Sequence, residues 1–133
     1  CANICHSSDT VELVIINKSL KELKIVSNNK NVLTFKISLG FAPIGKKIKR
    51  GDGKTPEGLY YIESKKNNSA FHLALQISYP NPWDIRRALM LNTHPGGQIM
   101  IHGLPNRGRD NKYHNKGNDW TEGCVAISKR NLL

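Results

Sequence analysis

Three apolar runs rich in β-branched residues, separated by two short turns that contain asparagine, constrain the fold of this chain more than any other feature. The runs cover residues 11–16, 20–26 and 32–39, and the turns cover residues 17–19 and 28–31. β-Branched residues favour strands, and connections this short join antiparallel neighbours. The sequence therefore predicts a three-stranded antiparallel meander within a mainly β fold.

The rest of the chain alternates between loops and short regular elements. Residues 40–58 hold five glycines and two prolines, which predicts a loop. We interpret it as a solvated basic loop, with a lip that receives an anionic substrate as the alternative, because it carries Lys46, Lys47, Lys49, Arg50 and Lys54. Further patterns predict strands at 59–63, 71–78 and 98–102, a helix at 84–91 that starts near Asn81 or Asp84, and a tight turn at 94–97.

Length and charge limit the classes of protein to which the chain can belong. Its 133 residues suit one domain, and 38% hydrophobic residues indicate a globular chain rather than a disordered one. The 20 basic and 10 acidic residues give a net charge of +10, which favours polyanionic partners. Because the chain has neither an aromatic-rich RNA-binding strand nor zinc-finger spacing, we predict no nucleic-acid partner. An anionic membrane and a cell wall with stem-peptide carboxylates are the alternative partners.

Three cysteines leave at least one thiol unpaired. Cys1 and Cys5 lie near the N-terminus, and a bridge across three intervening residues is geometrically demanding. Because the chain begins with Cys1 and not with methionine, it is interpreted as a processed or trimmed product. Attachment to a membrane through a lipidated Cys1 is one alternative. Cys124 is the thiol that remains for chemistry.

A histidine and a later cysteine, each beside an apolar run, form the candidate site. His102 closes the run before Gly103, whereas Cys124 stands between Gly123 and a second run. A thiol is mostly protonated at neutral pH, and an imidazole can take that proton and later return it to a leaving amine. Gly123 leaves room for a carbonyl, and the amides around Gly123 and Cys124 can hold an oxyanion. A buried structural cysteine with a satisfied strand histidine is the alternative interpretation.

The histidines do not have the spacing of metal ligands. Five are present, but none forms a His-x-x-x-His pair, and the cysteines form no Cys-x-x-Cys pair. We therefore predict no metal site and no other cofactor.

Three blocks of the sequence resemble the L,D-transpeptidase catalytic domain, the YkuD family. Ile-His-Gly at 101–103, Thr-Glu-Gly-Cys at 121–124 and Gly-Asp-Gly-Lys-Thr-Pro-Glu-Gly at 51–58 stand in the order of that family. Glu122 stands where the family usually has a histidine, and Ala126 stands where it often has an arginine. Both departures resemble the YafK-like branch of the family. The resemblance implies an L,D-transpeptidase-like β-sandwich of mixed sheets with a short helix and long active-site loops.

The chemistry that the resemblance implies is acyl transfer on the stem peptides of peptidoglycan, in cell-wall biogenesis and cell shape. Cys124 would be the nucleophile and His102 the general base, and a thioester intermediate would lead to a cross-link or an attachment. An amidase of the same family that releases cross-links or a wall-attached protein is one alternative, and a non-catalytic wall-binding module is another. The further residues implied are Gly123 and Gly103 for the oxyanion and orientation, Thr121 and Glu122 for support, and Arg107, Arg109 and Trp120 for a substrate lip.

The resemblance also implies a domain and a location. The catalytic domain would cover residues 10–133 after a flexible tail at 1–9, and it would lack the helix and last strand that the family normally adds. The protein would act in the cell envelope, in the periplasm or otherwise outside the cytoplasm, with a lipid anchor at Cys1 as an alternative.

Overall fold

The part of the chain that the structure describes contains seven strands and one helix, joined by turns and loops. The structure is a computed structural model that describes residues 11–28, 30–66, 74–103 and 119–127. In chain order the elements are β1 (Leu13–Asn17), β2 (Glu22–Ser27), β3 (Lys30–Ser38), β4 (Ile62–Lys66), β5 (Ala74–Ile77), α1 (Pro82–Met90), β6 (Met100–His102) and β7 (Val125–Ile127).

The predicted meander forms one side of the sheet. β1 pairs with β2 and β2 pairs with β3, both antiparallel, with Leu23 opposite Phe35. In the turn between β1 and β2, the Asn17 side chain accepts a hydrogen bond from the Leu20 amide at 3.1 Å. An asparagine that bonds the backbone of its own turn stabilises the reversal of the chain. The prediction of three antiparallel strands with short turns is confirmed.

The described strands form one mixed sheet in the order β1-β2-β3-β7-β6-β5-β4. β6 and β7 are parallel, and the other neighbouring strands are antiparallel. The sheet is continuous through β3, which pairs with β2 over residues 30–36 and with β7 at residues 37–38. The prediction of a mainly β fold with mixed strand pairing and a short helix is confirmed, and β7 lies directly beside the strand that ends at His102.

One face of the sheet closes around the hydrophobic core. Partly buried residues of β1 and of β5, which lie near opposite sides of the sheet, pack against the same buried cluster. Strands so far apart can share a cluster only if the sheet curls around it. Each fully buried aliphatic side chain contributes about 1.5–3 kcal/mol of hydrophobic free energy. The cluster consists of Leu23, Phe35, Ile37, Leu39, Ile101 and Val125.

Helix α1 starts where its sequence signals predict. The Asn81 side chain accepts from the Asp84 amide at 2.9 Å, and the Asp84 carboxylate accepts from the Asn81 amide at 3.0 Å. This capping box, with Pro82 at the first helical position, fixes the start of the helix. The Tyr60 hydroxyl also donates to Asp84, at 2.8 Å. Burial, together with the neighbouring Asp84 carboxylate, raises the pKa of Tyr60.

Two strands differ in extent from the prediction. β4 begins three residues later than the predicted strand at 59–63, because Tyr60 bonds to α1 instead of joining the sheet. β5 is described from Ala74 onward, and residues 71–73 of the predicted strand lie outside the described residues. In the ranges that are described, no helix has the length and the apolar character that crossing a membrane requires. Other predictions that lie outside the described residues concern the tail at 1–9 with Cys1 and Cys5, and the loop at 104–118 with Arg107 and Arg109.

Candidate active site

Parallel pairing of β6 and β7 brings the cysteine and the histidine to one face of the sheet. Ile101 lies opposite Val125, so Cys124 lies beside Met100, two residues before His102 on the neighbouring strand. Because side chains alternate along a strand and Ile101 and Val125 face the core, His102 and Cys124 face the other side. A strand spacing of about 4.8 Å and a rise of about 3.3 Å per residue separate their Cα atoms by about 8 Å.

Two small neighbours and one carbonyl group fix the position of the imidazole. His102 lies between Ala126 on β7 and Ala74 on β5, which are both buried, and is itself 5% exposed. Its Nδ1 lies 2.7 Å from the Gly103 carbonyl oxygen. Because a carbonyl oxygen only accepts, Nδ1 carries a proton and donates it, which makes Nε2 the basic nitrogen. The Trp120 ring contacts the imidazole edge-on, with ring centroids 6.1 Å apart.

Burial keeps this imidazole neutral at physiological pH. It lowers the pKa of His102 below the usual 6.5, and the hydrogen bond to the Gly103 carbonyl opposes only part of that effect. A neutral imidazole with an unprotonated Nε2 can accept a proton, as a general base must.

Backbone groups just before and within β6 hold the thiol. The Met100 amide donates to Cys124 Sγ at 3.4 Å, and Sγ can donate to the Gln98 carbonyl at 3.7 Å. Gln98 has a φ of 56°, in the left-handed region that side chains other than glycine rarely adopt. Strain of this kind costs about 1–3 kcal/mol and is often found at functional sites. At this site, the strained residue Gln98 is the one whose carbonyl contacts the Cys124 sulfur.

The thiol is protonated in the substrate-free site. Burial raises the pKa of Cys124 above the usual 9.0, the Met100 amide lowers it, the exposed Glu122 raises it and Lys47 lowers it, with a net upward shift. Thiol and imidazole are therefore both neutral near pH 7. For the sulfur to react as a nucleophile, a base would have to take the thiol proton during the attack.

A turn centred on a buried hydroxyl positions the cysteine. Thr121 is 4% exposed, and its Oγ1 donates to the Cys124 carbonyl at 2.7 Å and accepts from the Gly123 amide at 3.1 Å. Its backbone pairs with Gly40, which anchors the turn to the residues after β3. The Gly123 amide, expected to hold an oxyanion, is therefore occupied within the turn. We therefore take the Cys124 amide as the candidate for that role.

Close backbone packing requires glycine at position 123. Gly123 has a φ of 140°, and a Cβ there would lie 2.9 Å from both the Lys54 carbonyl oxygen and Ile99 Cδ1. A Cβ on Gly40 would overlap the backbone of Gly53 and lie 3.3 Å from Gly123 Cα. The loop after β3 thus packs through glycine backbones, with no room for side chains, against the turn at residues 121–124. We name it the nucleophile turn, because Cys124 is the predicted nucleophile.

The loop that the sequence predicts to be solvated buries one of its lysines. Lys47 is 4% exposed, and its Nζ donates to the Asp52 carboxylate at 2.8 Å and to the Lys49 carbonyl at 3.2 Å. Asp52 also accepts from the amides of Ile48, Lys49 and Lys54. Burial alone would raise the pKa of Asp52, but these hydrogen bonds prevail and lower it from 3.8 to about 2. The prediction of a solvated loop is wrong for Lys47.

Sequence reasoning missed three residues that shape the site: Lys47, Asp52 and Gly40. A lysine among several other basic residues gives no sign that it is buried. The available signal was Asp52 between two glycines, which is typical of a carboxylate that bonds the backbone of a turn. The loop is solvated at its exposed residues Lys46, Lys49 and Arg50.

The other predicted site residues fall into two groups. Trp120 lies against the imidazole, whereas Arg107 and Arg109 lie outside the described residues, so their place in a substrate lip stays a prediction. No group of three or more His, Cys, Asp or Glu side chains in the described ranges could hold a metal ion.

Most of the chain matches a known catalytic domain. The model of the L,D-transpeptidase catalytic domain family (YkuD) matches residues 12–133. Two relatives, from Escherichia coli strains K12 and O157:H7, are described as candidate L,D-transpeptidases named YafK, and each is 35% identical to this chain over 72 residues. Each match covers 53% of this chain and 27% of the relative, so the chain spans only part of the length of these relatives.

The fold also has a solved counterpart. The structure of Bd1075 from Bdellovibrio bacteriovorus matches 93% of this chain and 42% of its own chain with a TM-score of 0.60. The two sequences are 20% identical, so this likeness concerns the fold alone.

Proposed function

Because the chain belongs to the L,D-transpeptidase (YkuD) family, we propose that it is a cysteine acyltransferase that acts on peptidoglycan stem peptides, with residues 10–133 as its catalytic domain. The observation that carries this proposal is the parallel register of β6 and β7, with Cys124 and His102 on one face of the sheet. The 2.7 Å contact between His102 Nδ1 and the Gly103 carbonyl supports Nε2 as the basic nitrogen of the imidazole.

In the first half-reaction, Cys124 Sγ attacks the carbonyl carbon of a stem-peptide amide next to an L-configured centre. His102 Nε2 takes the thiol proton as the sulfur–carbon bond forms, because neither group is charged beforehand. The Cys124 amide donates to the oxyanion that develops on the carbonyl oxygen. The carbon–nitrogen bond then breaks, His102 returns the proton to the leaving amine, and a thioester remains on Cys124.

In the second half-reaction, an acceptor attacks the thioester and Cys124 leaves as a thiol. His102 accepts a proton from the acceptor and transfers it to the departing sulfur, so the site returns to its starting state. An amine acceptor gives a cross-link or an attachment, which is transpeptidation.

Water as the acceptor gives an amidase that releases cross-links or a wall-attached protein. The observation that favours this second candidate is Glu122, an exposed carboxylate in the same turn as Cys124, where a carboxylate can bind and orient water. Both reactions act on the cell wall, so we propose a location outside the cytoplasm, in the periplasm where an outer membrane is present. Membrane attachment through Cys1 stays a prediction.

Digestion of purified peptidoglycan, followed by mass spectrometry of the muropeptides, tests the proposal. Wild-type protein should produce new 3–3 cross-links if it is a transpeptidase, or lose cross-links or attached protein if it is an amidase. Cys124→Ala and His102→Gln should leave the muropeptides unchanged.

His94→Asn is the matched control for the histidine substitution. His94 is exposed, and its Nδ1 accepts from the Gly96 amide at 3.0 Å, a bond that an asparagine oxygen can replace. This variant should digest peptidoglycan as the wild type does. Binding of peptidoglycan by wild-type protein with no change in the muropeptides would reject the enzyme and favour a wall-binding module.

A further inference from the structure

A buried cation lies directly behind the nucleophile turn. Lys47 Nζ lies 3.8 Å from the point that a Cβ on Gly123 would occupy. The two atoms that come closer to that point are Ile99 Cδ1 and the Lys54 carbonyl oxygen, and neither carries a formal charge. Among the described residues, Lys47 therefore contributes the nearest full charge on this side of the turn.

The ion pair that Lys47 forms is largely shielded from water. The side chains of Lys47 and Asp52 are 3% and 8% exposed, and their charged atoms lie 2.8 Å apart. Removing two charges from water carries a large penalty that is repaid only when the geometry is good and further hydrogen bonds are present, as the three backbone amides on Asp52 are here. Its position beside the nucleophile turn suggests an electrostatic use for the charge.

The pair is oriented with its positive end toward the turn. Three backbone amides, those of Ile48, Lys49 and Lys54, hold the Asp52 carboxylate within its own loop. Lys47 Nζ, by contrast, is the atom of the pair that approaches Gly123. In a poorly hydrated site, an oriented dipole of this kind stabilises negative charge that develops at its positive end.

We propose that Lys47 is a positioning residue for the reaction at Cys124, in which its ammonium, fixed by Asp52, packs against Gly123 and stabilises negative charge on the sulfur as His102 removes the proton. The proposal deepens the proposed function and rests on it, because the charge forms when the thiol attacks. Lys47 acts through its electric field at the sulfur and by holding the turn in position, and it does not contact the substrate.

The other charged groups around Cys124 do not replace this effect. Glu122, in the same turn, opposes it and raises the pKa of Cys124, whereas Lys47 lowers it. His102, on β6, is neutral before the reaction. Lys54 contacts the turn through its backbone carbonyl, and its Nζ donates to the Ile44 carbonyl at 2.8 Å.

The rate at which iodoacetamide alkylates Cys124, measured across pH, tests this role. Mass spectrometry of the peptide that contains Cys124 separates its signal from Cys1 and Cys5. Lys47→Met should move the midpoint of the rate profile upward by about one pH unit, which is about a tenfold slower reaction at pH 7. Glu122→Gln should move the midpoint downward, because it removes the opposing charge.

Lys46→Met is the matched control, since Lys46 is an exposed neighbour whose loss changes the net charge equally. Its profile should coincide with that of the wild type. A Lys47→Met profile that also coincides with the wild type would overturn the proposal. Lys47→Met leaves Asp52 without its ion-pair partner, so the double variant Lys47→Met with Asp52→Asn serves as a second test. Its rate profile should also shift upward in pH. If the folded double variant shows no shift, the proposal is likewise overturned.

Alkylation requires no peptidoglycan, so the two proposals fail separately. An upward shift in Lys47→Met together with no change in muropeptides would refute the proposed substrate and keep the role of Lys47. Altered muropeptides together with coincident alkylation profiles would refute the role of Lys47 alone.

Discussion

Replacing Gly123 with alanine should both destabilise the protein and impair Cys124. Alanine at a φ of 140° carries backbone strain of about 1–3 kcal/mol. Its Cβ would lie 2.9 Å from the Lys54 carbonyl oxygen and from Ile99 Cδ1, so the turn or its neighbours must move. Overpacking of this kind adds about 1–3 kcal/mol. We expect a total loss of about 4 kcal/mol in the free energy of unfolding.

Gly51→Ala separates steric contact from backbone conformation. Gly51 also has a positive φ, 81°, but a Cβ there would meet nothing within 4 Å. That variant should lose only about 1 kcal/mol, the cost of the left-handed conformation. With a shift of about 4 °C in melting temperature per kcal/mol, the melting temperatures should fall by about 15 °C for Gly123→Ala and about 4 °C for Gly51→Ala.

Thermal unfolding followed by circular dichroism measures stability. The rate of alkylation of Cys124, measured below both melting temperatures, reports on the geometry of the turn. Gly123→Ala should react at least about tenfold more slowly than the wild type, because a displaced turn moves the sulfur away from the Met100 amide and the imidazole. Gly51→Ala should react as the wild type does. If Gly123→Ala proves no less stable than Gly51→Ala, or if its Cys124 reacts normally, the packing argument for this turn is wrong.

Three further results follow from the site. Thr121→Val, which removes both hydrogen bonds of the Thr121 hydroxyl, should lower the unfolding free energy by about 2 kcal/mol in urea titrations. Thr121→Ser should stay near the wild type, and equal losses in the two variants would contradict the role of the hydroxyl in the turn. The pKa of Asp52 is lowered from 3.8 to about 2, so its ionised form should contribute about 2 kcal/mol of stability above pH 4. That contribution should be lost as the pH falls toward 2, and Asp52→Asn should flatten this part of the plot of unfolding free energy against pH. Because burial lowers the pKa of His102 below 6.5, kcat/KM should fall as the imidazole gains a proton below pH 6.5, and an acid limb centred above 6.5 would contradict the neutral pair.

Local signals allowed much of the fold to be predicted. The meander follows from three apolar runs and their turns, and the start of α1 follows from Asn81 and Pro82, because each signal acts within a few residues. The later start of β4 was not predictable in this way. Tyr60 favours a strand by its intrinsic propensity, but its hydroxyl bonds to Asp84 on α1, 24 residues away in the sequence.

The reacting residues of the site could be predicted from the sequence, but most of the residues that hold them in position could not. His102 and Cys124 stand out by residue type and motif, and the resemblance to the family supplied their pairing. The insertion of β7 beside β6, which brings them to one face, is a nonlocal contact that periodicity cannot reveal. Burial of Lys47 was hidden for the same reason, because it depends on Asp52 and on the approach of Gly123 from the far end of the chain.

The most direct test of the account is detection of the acyl group on Cys124. Protein mixed with purified peptidoglycan fragments is quenched in acid within the first turnovers, digested, and analysed by mass spectrometry for a thioester on the peptide that contains Cys124. We expect a stem-peptide acyl group on that cysteine in the wild type, a much smaller amount in His102→Gln, and none in Cys124→Ala. Muropeptide changes that persist in Cys124→Ala, or an acyl group found on another residue instead, would contradict it.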